Sequence, residues 1–221
     1  MRKLTKLPIP PVLAENADAW LADYKANPTS KTCKYRYRHT DIKRTVKDEA
    51  YSKCVYCEGK IGHVSPGDIE HKRPSSKNID LHFEWTNLTY ACTECNRRKN
   101  DYDDEQLPFI DPYNDDVESM LCHHGPIVGW AVGCAIAEVS VSKLELNTEV
   151  RRELIFHKVE KLLDLNNRLG RYTSETQPVV KELIKENILA MRQKNAEYSA
   201  MICSALAKLK FPEDEHVQAG G

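Results

Sequence analysis

The sequence predicts an α+β chain, mainly helical, in which a small metal-stapled module sits between helical arms. Three observations carry this. Two C-x2-C pairs, Cys54/Cys57 and Cys92/Cys95, bracket a stretch rich in Gly, Pro, Asn and Ser that has no long apolar period. Helical periodicity dominates from Thr148 to Lys210, and shorter helical patterns precede the first cysteine pair. Of the 221 residues, 41% are hydrophobic and 29% charged, which supplies a core and argues against compositional disorder. The expected division is an N-terminal helical and basic arm at 1–50, the metal module at 51–110 and a mainly helical region at 111–221.

The elements follow in order. ENADAWLADYKAN, residues 15–27, puts Ala17, Trp20, Leu21 and Tyr24 on one helical face, and Pro28-Thr29-Ser30 ends it. KYRYRH, running from Lys34 through Tyr35 to His39, alternates bases with aromatics; it reads as an exposed β-edge or as a segment that tracks a nucleic-acid strand. Residues 41–53 predict a second helix with Asp41 as N-cap and Ile42, Val46 and Ala50 spaced four apart. In the C-terminal half, Val150, Leu154, Val159, Leu162, Leu163 and Leu169 repeat near the helical period. Gly170 is expected to stop that helix, Pro178 to open the next, and 195–209 to form the last. Such apolar stripes serve as core or as a docking face for a partner.

Charge and cysteine use narrow the class. The net charge of -1 hides seven Lys or Arg between Lys31 and Lys47 and eight Asp or Glu between Asp101 and Glu118. The basic stretch could face phosphates; the acidic one would repel them. No apolar run reaches the ~18 residues of a membrane span. Prolines break the N-terminal MRKLTKLPIPPVL before any small-residue cleavage site, so a mature cytoplasmic protein is expected. Of eight cysteines, Cys33, Cys122, Cys134 and Cys203 are scattered and read as small buried hydrophobes. The two pairs point to one structural Zn2+ held by Cys54, Cys57, Cys92 and Cys95, with redox cysteines as the rival. A sulfur-only shell leaves no position for water, so this zinc should not do chemistry.

Inside the clasp, DIEHKRP places Glu70 beside His71, EWTNLTYAC contains Asn87, and CNRRK begins at Cys95 with Asn96 next. Singly, each is an ordinary turn, cap or surface residue; their order within a four-cysteine clasp is what carries weight. Lys72, Arg73, Arg97, Arg98 and Lys99 flank them and are phosphate contacts by position. His39, His63, His82, His123, His124, His157 and His216 lack such context and are left as structural or surface residues.

The order Glu70-His71, Asn87-Leu88, Cys92, Cys95, Asn96 and Lys99 resembles the HNH nuclease family, in an HNN variant with Glu where Asp is commoner. KCVYCEGKI, IEHKRPSSK, WTNLTYACTECNRRK, FIDPYNDD and LELNTEVRREL, up to about Leu154, further resemble the nuclease subunits of Septu anti-phage defence systems, relatives of which accompany some retrons. The resemblance implies a zinc-stapled ββα-metal core. It implies His71 as general base, which suits a side chain of unperturbed pKa ~6.5. It implies that Glu70 and Asn96 hold one Mg2+ or Mn2+ through oxygen, and that Asn87 fixes the loop carrying His71. Asp68, two residues before Glu70 on the same strand face, is the alternative acid. The implied activity is an HNH endonuclease acting on nucleic acid, DNA before RNA, weakly sequence-specific and controlled by a PtuA-like ATPase subunit, with retron RNA or DNA as a further partner. The chain itself has no G-x-x-x-x-G-K-[ST] run for ATP. The alternative is a non-catalytic, zinc-dependent nucleic-acid-binding or scaffold module.

Overall fold

Prolines at 8, 10 and 11 delay the first helix until a proline can serve as its first residue, where a missing amide costs nothing. In a computed structural model that describes residues 1–62 and 66–212, α1 therefore spans Pro11–Ala26 and starts ahead of the expected Glu15. His63 and His216 lie outside the described residues. Ser30 then caps α2 (Lys31–Lys34), its Oγ accepting from the Cys33 amide at 3.3 Å, and a 3-10 turn follows at Tyr35–Arg38. KYRYRH is thus helical and not a β-edge: the Ser30 cap starts a turn, and Tyr37 continues it by burying its ring. α3 (Thr40–Glu49) buries Ile42 and Val46, with Ala50 just beyond. Its cap is His39, whose Nδ1 accepts from the Asp41 amide at 3.2 Å; Asp41, the expected cap, lies in the first turn.

The module that follows is strand, strand, helix. β1 (Asp68–His71) pairs antiparallel with β2 (Leu88–Ala91) in the register Asp68 to Ala91, Ile69 to Tyr90, Glu70 to Thr89 and His71 to Leu88. Only Cys92 separates β2 from α4 (Thr93–Lys99). The connection between the strands contains 3-10 turns at Ile79–Leu81 and Trp85–Asn87. Two four-residue strands bury too little to stand alone. The N-terminal segment supplies cover: Lys6 Nζ sits 3.6 Å over the Trp85 ring and 3.0 Å from buried Glu49, and Trp85 Nε1 donates to Leu7 O at 2.8 Å.

The C-terminal region is mainly helical as expected, and ahead of its long helices α5 (Val117–Met120) leads into a hairpin of β3 (Leu121–His124) and β4 (Ile127–Trp130). Gly125 takes φ 60° at its turn, which a glycine tolerates without strain. Then come α6 (Ala135–Lys143), α7 (Arg152–Ser174), α8 (Pro178–Ala190) and α9 (Ser199–Lys208). α7 runs through Gly170 rather than stopping there. A helix-interior glycine costs about 1 kcal/mol, and Leu169 and Tyr172 on either side pack against the cluster of Leu165, Ile184, Ile188 and Ile202. Leu154, Leu162 and Leu169 of the expected stripe are packed, whereas Val150 and Leu163 are exposed. The scattered cysteines are half-buried rather than fully buried. A separate core runs from Met1 to Leu146 and takes in residues of the N-terminal arm, the metal module and the hairpin. No helix among the described residues is long and apolar enough to cross a membrane.

Glu58 joins the module to α9. It is buried, with the Lys53 ammonium at 3.2 Å, the Met1 amine at 3.5 Å, and hydrogen bonds from Ser199 Oγ at 3.0 Å and the Ala200 amide at 3.2 Å. Burial alone would raise its pKa; the neighbouring ammonium charges overturn that and hold it at about 2, against an ordinary 4.5. A depressed carboxylate contributes stability that is complete above its ordinary pKa and is lost as pH falls toward the folded value. Breaking a buried pair strands the other charge. Glu58→Gln should therefore lower the free energy of urea unfolding at pH 7 by about 3 kcal/mol; an unchanged unfolding midpoint would refute this role.

Candidate metal centre and active site

The turn at Cys54–Cys57 closes on itself, with the Glu58 amide donating to Cys54 O at 2.9 Å, and it is pinned to β2 by the Val55 amide bonding Tyr90 O at 3.1 Å. Cys92 is the N-cap of α4, its Sγ accepting from the Cys95 amide at 3.4 Å. The four sulfurs lie within 4.8 Å of one another, and Cys57 and Cys92 are 4.0 Å apart. A tetrahedral Zn2+ with ~2.3 Å bonds needs sulfurs about 3.8 Å apart. The set fits zinc, and four mutually adjacent thiols are a metal arrangement rather than a redox pair.

A tetrathiolate zinc carries net negative charge, and the fold supplies buried cations beside it. Arg151 Nη2 is 3.5 Å from Cys95 Sγ, and Lys158 is buried nearby with its Nζ 3.2 Å from Pro126 O. Burial would lower the Arg151 pKa; the neighbouring thiols lift it above the ordinary guanidinium value. Sequence reasoning missed both residues, because Arg151 just precedes α7 and Lys158 lies in its second turn, neither with a local signature. Partners of this kind tune a metal site as directly as its ligands.

Alternation along β1 puts Asp68 and Glu70 on one face, with Ile69 buried on the other. The strand ends at His71, so both faces open there into one cleft of about 340 Å³ lined by Asp68, Glu70, His71 and Asn96. α4 brings Asn96 across β1, its Nδ2 3.4 Å from Asp68 Oδ2. Glu70 is only 4% exposed, with Oε1 2.8 Å from Lys99 Nζ. Burial pushes the Glu70 carboxyl pKa up against the pull of that ammonium. The two carboxylates and the Asn96 amide oxygen are hard donors of the kind Mg2+ and Mn2+ take. Asp68 is the acid nearer Asn96; Glu70, expected as the metal acid, shares the cleft but already has a cation.

His71 Nε2 lies 2.9 Å from His82 O. A carbonyl only accepts, so Nε2 carries the hydrogen and Nδ1 keeps the lone pair of the neutral ring. The ring stacks on His82 at 4.9 Å and meets the edge of Tyr37 at 4.7 Å. Burial lowers its pKa to about 4, so it is neutral near pH 7. Asn87 is buried and bridges the chain on either side: Oδ1 accepts from the Arg73 amide at 2.8 Å, and Nδ2 donates to Arg73 O at 2.9 Å and Leu81 O at 3.1 Å. It thereby holds the residue before His82, whose carbonyl holds His71.

Of the expected phosphate contacts, Lys99 and Lys72 are turned into the fold, whereas Arg73 and Arg97 stay exposed and Arg97 lines the cleft. Lys99 is 2% exposed and donates to His71 O at 3.0 Å, so it is an internal counter-ion to Glu70. Lys72 pairs with Asp111 at 2.5 Å and is turned inward. Arg73 pairs with Asp103 at 3.0 Å, Arg97 with Glu94 at 2.9 Å, and Arg98 with Glu94 and Glu145. The acidic stretch after Asp101 folds back onto the basic residues that follow His71.

Structural zinc contributes folding free energy outright. Cys92→Ser should lose bound zinc, read by elemental analysis, together with the near-ultraviolet circular dichroism of a packed core. Retention of both would contradict the four-sulfur assignment.

Residues 54–102 match the HNH endonuclease family. The Septu protein PtuB of Bacillus mycoides (strain KBAB4) is 34% identical over 74 residues, covering 28% of this chain and 25% of that protein, so the match spans about a quarter of that relative's length. With its strand–strand–helix module and four-cysteine group, this chain carries an HNH endonuclease domain and resembles PtuB.

Proposed function

We propose that the chain hydrolyses phosphodiester bonds of nucleic acid, DNA in preference to RNA, as the effector nuclease of an anti-phage defence complex of the Septu or retron-associated kind. In this reading it works in the cytoplasm, and a PtuA-like ATPase subunit controls it. The observation that carries the chemistry is the single open cleft shared by His71, Asp68, Glu70 and Asn96. The likeness to the Septu protein PtuB supports the defence setting.

A bound Mg2+ or Mn2+ would polarise the phosphate and stabilise the departing oxygen; Asn96 with Glu70 or Asp68 would hold it. His71 Nδ1 accepts the proton of the attacking water. Its Nε2–H stays on His82 O throughout, so the ring keeps one tautomer and one orientation. Asn87 preserves that orientation through Arg73 and Leu81. Lys99 balances Glu70 from inside the fold, leaving the open side of the cleft for the substrate.

Removing a general base typically lowers the rate by about 10²–10⁴. His71→Ala should therefore cut DNA at least ~100-fold more slowly than the parent, when both are assayed with the partner ATPase, nucleotide and Mg2+ or Mn2+, while keeping its zinc and its circular dichroism. EDTA should stop the parent. Equal cutting by the variant would remove His71 from the mechanism. An inactive parent under those conditions would favour the scaffold alternative.

A further inference from the structure

At the His71 end of the cleft the neighbouring cations are engaged, Lys72 with Asp111, Arg73 with Asp103 and Lys99 with Glu70, while Arg97, which lines the cleft from α4, is exposed and shares Glu94 with Arg98. A phosphodiester arriving at His71 would still need a cation to receive it. Arg38 stands beside His71 and comes from the N-terminal arm. It is exposed, and no carboxylate of the described residues pairs with it. Its guanidinium lies 4.3 Å from the centroid of Tyr35 and 5.6 Å from that of Tyr37, and its Nε donates to Tyr37 Oη at 3.3 Å. Tyr37 in turn packs edge-on against the His71 ring at 4.7 Å. The charge of Arg38 is felt at His71, and that of Asp68 at Arg38, behind the larger effect of the Tyr37 hydrogen bond. Arg36, two residues earlier, faces elsewhere and is bound to Asp23 at 2.6 Å.

We propose that Arg38, held by Tyr35 and Tyr37, is the residue that takes a phosphate of the strand being cut at the His71 edge of the cleft. A planar guanidinium with free donors suits two phosphate oxygens at once. Cation–π contact with the two rings and the bond to Tyr37 Oη lower the entropy lost on binding. The 3-10 turn at Tyr35–Arg38 is what aims it, so the basic arm becomes part of the site.

This inference rests on the nuclease reading, and the test separates the two. In the non-cutting His71→Ala chain, binding of a fluorescein-labelled DNA or RNA oligonucleotide is followed by anisotropy at several salt concentrations. Adding Arg38→Ala should weaken binding about tenfold and reduce the salt slope by about one. Arg38→Lys should recover part of the affinity, and Arg36→Ala should leave it within about twofold. Equal binding with and without Arg38, or equal losses from Arg36→Ala and Arg38→Ala, overturns the inference alone. A His71→Ala chain that binds neither DNA nor RNA overturns the nuclease reading and the inference together.

Discussion

Four thiols drawn from two turns, with residues 58–91 between them, meet within 4.8 Å of one another, and the chemistry of the chain hangs from that meeting. Cys92 and Cys95 belong to the four-sulfur group that fits a metal and also start α4, and Asn96 is the next residue along. Where the clip sets the helix, Asn96 faces β1. The strands have four residues each and could not hold that relation by themselves. Coordination free energy from a zinc held there would substitute for the burial that a larger sheet provides.

The second constraint is neutrality at depth. Buried charges around the module have partners: Glu70 has Lys99, Glu58 has Lys53, and the cysteine sulfurs have Arg151. Pairs of this kind add little net stability compared with apolar residues, but losing one partner is costly, so they set register. Lys99 shows the consequence. Its ammonium joins Glu70 to His71 O, which ties both residues of the cleft to one point on α4. The surface acids continue the pattern by occupying Lys72 and Arg73, and the N-terminal arm is left to offer an unpaired cation.

Much of this was legible in residue spacing. The C-x2-C pairs announce their own geometry, Pro178 opens α8 as a first-turn proline should, and Ile42, Val46 and Ala50 fall inward as their period requires. What spacing could not convey was contact at long range. Lys99 and Arg97 look alike in CNRRK, yet one is buried under Glu70 and the other is solvated, a difference decided by β1. The β3–β4 hairpin hides in LCHHGPIVGW, where Gly125-Pro126 was the available turn signal. Gly170 failed as a stop because tertiary packing on both sides outweighs its local cost. KYRYRH failed as a strand because Tyr37 is wanted by His71 rather than by a sheet.

The central claim is that one sulfur clip brings an imidazole and a set of oxygen donors to a common cation. Anomalous scattering from crystals of the full chain grown with Mn2+ tests it directly. The account predicts zinc at Cys54, Cys57, Cys92 and Cys95, and a manganese peak about 2.1 Å from the Asn96 side-chain oxygen and from a carboxylate oxygen of Asp68 or Glu70. Manganese bound elsewhere, or an ordered cleft that takes none at saturating concentration, would contradict it.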